Sequence, residues 1–400
     1  MEMKVNNKKE RQYYIDWLRI LLIFSVFLFH VGMVFNSWDW HIKNDPQYPE
    51  LRYIMSFLHV WRMPLLFLVS GVGTFYALRF RSSKQYLGER TKRLIIPLIA
   101  GIFILVPVQV YIEKMDQFES LLDFYPHMFE GIYPIGNFSW HHLWFIVYLF
   151  VIALIISPFL KFIRSEKFKR FQNRLISITS KRLGTNIFLI PLIISQLLLR
   201  PFFEYETHAL VDDWAYFTYN LIFFITGLIL FSNNKIAIAL KIQRRLYLLE
   251  TIISTSILLS VYFIDYGNFG GEVWDIFSII VAWSCSMTAL GYARTYMNKD
   301  SKLRKLANEA IYPFYLLHQP LIIIVALYVI RWDISVIWKA IFVTSFSFGL
   351  SVGIYWFIIR PINILRIIFG LKPLKSEKAI ETNEAEPITI QAIEIRKTGS

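Results

Sequence analysis

Asp16, Arg19 and His30 stand out because they interrupt YIDWLRILLIFSVFLFHVGMVF, a run from Tyr14 to Phe35 that is otherwise apolar enough to cross a bilayer. A crossing helix takes roughly 20 mostly apolar residues, and an ionisable group inside one is costly enough to be read as functional. Helical spacing gathers the three on one side. Arg19 and His30 are 11 positions apart, which is three turns plus about 20° and a rise of roughly 16 Å. Asp16 lies on the neighbouring edge of the same stripe. That side must look into protein or a wet cavity. A histidine near its ordinary pKa suits removal of a hydroxyl proton. An arginine suits a carboxylate or a phosphate, or hydrogen bonds to a neighbouring helix. For Asp16 and Arg19 the alternative is anchoring at the headgroups; His30 lies too deep for that.

Further candidates follow along the chain. In FLHVWRMPLLFLVSGVGTFYAL, His59 and Arg62 are one turn apart, and Ser70 falls on nearly the same face as His59. Gly71 and Gly73 read as a helix-packing notch, and Arg62 reads either as a site residue or as a structural pairing partner. In GERTKRLIIP, Arg90 and Arg93 are spaced to clamp a phosphate or, equally, to anchor a helix end. The adjacent pair His141 and His142 sits beside Trp140 and Trp144; on a regular helix at most one of the two faces a site. No further ligands at zinc spacing accompany them, and no metal is expected. In NEAIYPFYLLHQPLIII, Asn308, Tyr312, Tyr315 and Gln319 form a polar stripe flanked by His318. It fits helix–helix hydrogen bonding or the lining of the cavity that His30 faces.

The elements that must hold these residues are membrane helices. Hydrophobic residues make up 56% of the 400, 35 of them Phe, and only 18% are charged, where a soluble chain has about a quarter. The apolar residues gather in blocks, which predicts an all-α polytopic bundle of ten spans: 15–36, 54–78, 94–113, 142–163, 185–203, 214–232, 246–264, 274–293, 310–330 and 335–359. Pro191 and Pro201 make the fifth the least regular. The 42 Lys and Arg against 29 Asp and Glu lie in alternate connections rather than in a nucleic-acid patch. The N-terminal Lys4, Lys8, Lys9 and Arg11, the Arg79–Arg93 loop and the Lys161–Arg182 loop are basic. The connections bearing Asp116, Glu119 and Asp123, and then Glu204, Glu206, Asp212 and Asp213, are acidic. With positive residues retained inside, both termini are expected in the cytoplasm. The lone Cys285 excludes a disulfide framework. Residues 1–369 are expected to form one membrane-embedded domain and 370–400 a disordered cytoplasmic tail, with 359–369 along the inner interface.

The order and spacing of YIDWLR, the Arg19–His30 pair, RMPLLFLVSG, RTKRLIIP, HHLWF and YLLHQP resemble the acyltransferase-3 family over about residues 11–360. FNSWDWHIKN and HVWRMPLLFLVSG are similar to its glucan biosynthesis protein C branch, which is linked to succinylation of periplasmic glucans. The resemblance implies a bacterial cytoplasmic-membrane O-acyltransferase with no bound cofactor. An acyl-CoA would serve as co-substrate, and an acetyl or succinyl type group would pass to a hydroxyl of an extracytoplasmic glycan or glycolipid. It further implies catalytic roles for His30 and Arg19 and donor binding by Arg90 and Arg93. From their types and positions, Asp16, His59, Arg62, Ser70, His142, Tyr315 and His318 are candidates to line the cavity. The O-antigen acetylase branch has a glutamate where Leu149 stands here, and no esterase-like stretch follows the tenth span, so that branch does not fit. A transporter or flippase, or a structural membrane partner without turnover, is the alternative class.

Overall fold

The computed structural model describes residues 12–78, 81–203, 206–230 and 233–374. Lys4, Lys8, Lys9, Arg11, Arg79, Glu204 and the tail from residue 375 lie outside the described residues. Within them the chain is helical apart from connections, with a single isolated bridge between Ile132 and Phe138. The apolar blocks become α1 (Tyr13–Phe35), α2 (Leu51–Leu78), α3 (Ser83–Glu113) and α4 (His141–Ile163). An amphipathic α5 (Glu166–Thr179) and a short α6 (Gly184–Leu199) follow. Next come α7 (Trp214–Leu230), α8 (Asn234–Ser260), α9 (Gly267–Tyr296), α10 (Lys302–Val329), α11 (Val336–Ile359) and a final turn of helix, α12 (Asn363–Ile368).

Each of the ten expected spans therefore has a helix, and the helices differ in length and apolarity. Seven are long and apolar enough: α1, α2, α3, α4, α9, α10 and α11. An eighth crossing exists if α7 and α8, which meet at 108°, are taken together. The helix α6 is too short, because the chain turns at Arg200–Phe202 after Pro191 has set its first turn. Sequence hydropathy counts apolar residues and does not see where a helix bends.

The frame is a set of close helix pairs: α1 with α2 and α10, α2 with α7 and α9, α8 with α9, and α10 with α11. The tightest approach is between α2 and α7, and it is reciprocal. A Cβ on Gly71 would lie 2.0 Å from the Phe224 carbonyl oxygen of α7, and one on Gly227 would lie 2.0 Å from the Leu68 carbonyl oxygen of α2. Small residues let membrane helices approach backbone to backbone, so the packing notch expected at Gly71 is present. Gly73 is not part of it: the nearest group to a Cβ there is the Arg19 guanidinium at 3.5 Å. Near the N-terminal end of α10, α12 is tied into the bundle through Arg366, whose guanidinium donates to Glu309 of α10 at 2.9 Å.

Because neither backbone can yield, Gly227→Val should push α2 and α7 apart and cost about 1–3 kcal/mol. Thermal denaturation of the detergent-solubilised protein should show a clearly lower Tm than for Gly73→Ala, where space is available.

Candidate active site

Two cavities open into the bundle. The larger, about 1250 Å³, lies between α1, α2, α4 and α10 beneath the connections after α1 and before α4. His30, Arg62, His142 and Tyr315 face it, and so does His59. The other expected lining residues do not. His318 is fully buried behind His30. Ser70 turns its hydroxyl onto the Leu66 carbonyl at 2.8 Å, and Asp16 sits at the opposite end of α1. Cys285 packs with Leu258 and Val281 in a separate apolar cluster.

The hydrogen bonds around His30 settle its protonation pattern. His30 Nδ1 is 2.8 Å from His318 Nε2, and His318 Nδ1 is 2.6 Å from the Tyr315 carbonyl oxygen. A carbonyl only accepts, so His318 Nδ1 must carry a hydrogen. Neutral His318 then accepts at Nε2, and His30 Nδ1 is the donor. The lone pair of His30 is thereby placed on Nε2, the nitrogen left for the cavity. Protonation at Nε2 would keep the bond to His318 intact, as a general base requires. The Trp40 ring lies parallel to the imidazole, with centroids 6.1 Å apart.

Opposite His30 is a group that helical periodicity alone does not reveal. His41 Nδ1 meets the Glu113 carboxylate, the Gln319 amide lies 3.2 Å from His41 Nε2, and the Tyr133 hydroxyl donates to Glu113 at 3.0 Å. Both nitrogens of His41 are thus engaged. His41 and Glu113 are 72 residues apart, one after α1 and one at the end of α3, so only tertiary packing pairs them. His141 also faces the cavity alongside His142, contrary to the one-of-two expectation. The segment His141–Leu143 is a 3₁₀ turn with His141 at φ 39°, not a regular helix. Among the described residues no cluster of three His, Cys, Asp or Glu is arranged to hold a metal ion.

Arg62 is the electrostatic anomaly of the cavity. It is buried, its Cζ lies 3.4 Å from the Phe29 ring centroid, and its Nε and Nη1 have no hydrogen-bond partner among the described residues. A cation held out of water with few hydrogen bonds, and with only the more distant Glu206 carboxylate acting on it, is costly, and a guanidinium is shaped for a carboxylate or phosphate. The geometry offers a place for an anionic group near His30.

Arg90 and Arg93, predicted for donor binding, lie close to Arg19 near the other end of α1. Arg19 donates to Asn308 of α10 at 3.2 Å and lies 3.6 Å from Asp16, which pairs with the buried Arg304. Arg90 donates to Thr74 of α2 at 2.8 Å. The Arg93 guanidinium lies 6.0 Å over the Tyr312 ring, whose hydroxyl donates to the Arg93 carbonyl at 3.0 Å. Arg93 sits in a π-turn, Thr91–Ile95, a distortion often found at functional positions. Every member of the polar stripe on α10 thus has a partner: Asn308 with Arg19, Tyr312 with Arg93, Tyr315 with the His142 carbonyl and Gln319 with His41.

The family model of acyltransferase-3, described as an acyltransferase domain, matches residues 12–356 and so contains every residue named in these two clusters. The chain belongs to the acyltransferase-3 family. Relatives named glucans biosynthesis protein C from Salmonella paratyphi B, Salmonella agona and Salmonella dublin are each 20% identical over 390 residues, covering 92% of this chain and 97% of theirs. No solved structure matches the chain significantly. As a member of the acyltransferase-3 family the protein is a multi-pass membrane acyltransferase.

The connection between α6 and α7 walls the cavity from a smaller neighbour. Burial pushes the Glu206 carboxyl up, but the His59 bond and the nearby Arg200 outweigh it and hold the group at about 2. Burial also depresses the His208 imidazole to about 4, against the pull of Glu206. Asp213 accepts from the Tyr148 hydroxyl and the His208 amide, yet burial raises its carboxyl to about 7.

Two outcomes follow from this geometry. His318→Ala removes the acceptor that keeps the His30 proton on Nδ1, and the transfer rate in membranes should drop roughly 100-fold. His318→Gln, which retains an acceptor oxygen, should recover part of it. Asp213 favours its proton in the folded state, with a pKa raised from 3.8 to about 7. Its contribution to stability is therefore complete below about pH 4 and is lost as pH rises through 7. Thermal melts from pH 5 to 8 should decline less for Asp213→Asn than for the unsubstituted protein.

Proposed function

We propose that this acyltransferase moves an acyl group from a cytoplasmic acyl-CoA to a hydroxyl of an extracytoplasmic glycan, with His30 Nε2 as the general base. The observation that supports it most is the relay from the Tyr315 carbonyl through His318 to His30, at a cavity large enough for sugar units. In this reading the CoA phosphates rest on Arg90 and Arg93 at the basic, cytoplasmic side. The pantetheine arm runs past Arg19 along the polar stripe of α10. An acceptor hydroxyl enters from the far side and gives its proton to His30. The oxygen attacks the thioester carbonyl, the carbon–sulfur bond breaks, and the thiolate leaves. Both termini then lie in the cytoplasm of a bacterium, with the protein in its cytoplasmic membrane.

The unpaired Arg62 supports a donor whose acyl group ends in a carboxylate, succinyl rather than acetyl. The name of the Salmonella relatives supports a glucan as acceptor.

Mass spectrometry of envelope glycans from cells with the gene intact, deleted or carrying His30→Ala tests this directly. The added acyl mass should be present in the first and absent in the other two, because loss of a general base costs about 10²–10⁴ in rate. Unmodified glycans in all three strains, with a lipid or solute mislocalised on deletion, would identify a transporter instead. Arg62→Ala should weaken use of succinyl-CoA about tenfold or more and leave acetyl-CoA, which has no carboxylate to lose, nearly unaffected.

A further inference from the structure

The smaller cavity, about 840 Å³, lies between α2, α6, α7 and α9. His59, His208 and Tyr216 border both cavities, so the two are neighbouring chambers with a shared wall. The wall is braced by charge: Glu206 is 3.4 Å from His59 and 3.1 Å from Arg200. Arg200 is further aligned by the Gln196 side-chain oxygen at 2.9 Å, and the Gln196 amide donates to the Ala215 carbonyl at 3.1 Å. These groups are fixed before any ligand arrives.

The opposite side of the chamber is different. Trp274 and Asp275 sit in the first turns of α9 and line it. Trp274 presents an aromatic ring held edge-on by Tyr262, with centroids 5.9 Å apart. Trp274 is half-buried and Asp275 exposed, and the Arg200 guanidinium acts electrostatically on the Asp275 carboxylate across the chamber. An aromatic face beside a carboxylate, in one chamber with a guanidinium and an amide, makes a surface for a ring with apolar C–H faces and a rim of hydroxyls. Lipid chains would leave the polar groups unsatisfied, and a phosphate would meet Glu206 and Asp275.

We propose that this chamber is a second saccharide subsite, holding a sugar unit next to the one acylated at His30, with Trp274 and Asp275 as its recognition residues. It rests on the glycan-acceptor reading and deepens it. The acceptor is an oligosaccharide bridging two chambers, and the acylated unit is selected by its neighbours as well as by its own hydroxyls.

The experiment uses the full chain purified in detergent, succinyl-CoA, and gluco-oligosaccharides of two and six units with one linkage. The hexasaccharide should have a kcat/KM about tenfold above the disaccharide, the size of effect expected from one buried aromatic contact. Trp274→Ala and the nearly isosteric Asp275→Asn should bring that ratio close to one. A ratio near one in the unsubstituted protein, or an unchanged ratio in both variants, overturns the subsite. Calorimetric titration without donor separates this from a failure of the transfer reading. If neither sugar is acylated, hexasaccharide binding that exceeds disaccharide binding and is weakened by Trp274→Ala still supports the subsite. Equal binding of the two sugars rejects it.

Discussion

Polar atoms sealed away from water inside a helical bundle must find partners on neighbouring helices, and in this protein that requirement falls mainly on the meeting of α1 with α10. Arg19 bonds Asn308 towards one end and His30 meets His318 towards the other. The same helix face of α10 reaches outward to Arg93, to His142 and to His41. One polar stripe therefore holds together both clusters, the arginines and the histidines, at a spacing set by helical rise. Loss of a contact on this line would leave a buried donor or acceptor unpaired, which costs more than the bond itself is worth. Structural support and chemistry are in this way assigned to the same residues.

The two ends differ in how far their charges are neutralised. Arg304 is shared between Asp16 and Asp300, and Arg366 is matched by Glu309. In each of these pairs a buried guanidinium meets a more exposed carboxylate, at the end of the bundle away from the histidines. Arg62 has no such partner, and it stands where the larger cavity is widest in chemistry, between the histidines and the aromatic rings.

Much of this was legible in the sequence, and the parts that were not share a cause. The Arg19–His30 spacing and the α10 stripe could be read because both partners of each pattern lie on one helix, where 3.6-residue periodicity reports direction. The His41–Glu113 pair was invisible because its members lie on different elements, and a histidine in a polar connection has no periodic signature. His318 was assigned to the cavity wall when it belongs one layer behind, since periodicity gives a face and not a depth. His141 was misread because a positive φ redirects its side chain. Ten apolar blocks were found correctly as helices, yet crossing number depends on bends that composition does not encode.

The reciprocal glycine contact between α2 and α7 has a mechanical consequence. With backbone touching backbone, those helices cannot slide or part without losing the contact, so the shared wall of the two chambers is stiff. Compliance must then reside in the connections that roof the larger chamber, around residues 36–50 and 131–140. Entry to the larger chamber then depends on the pliancy of those segments, while the floor beneath them stays fixed.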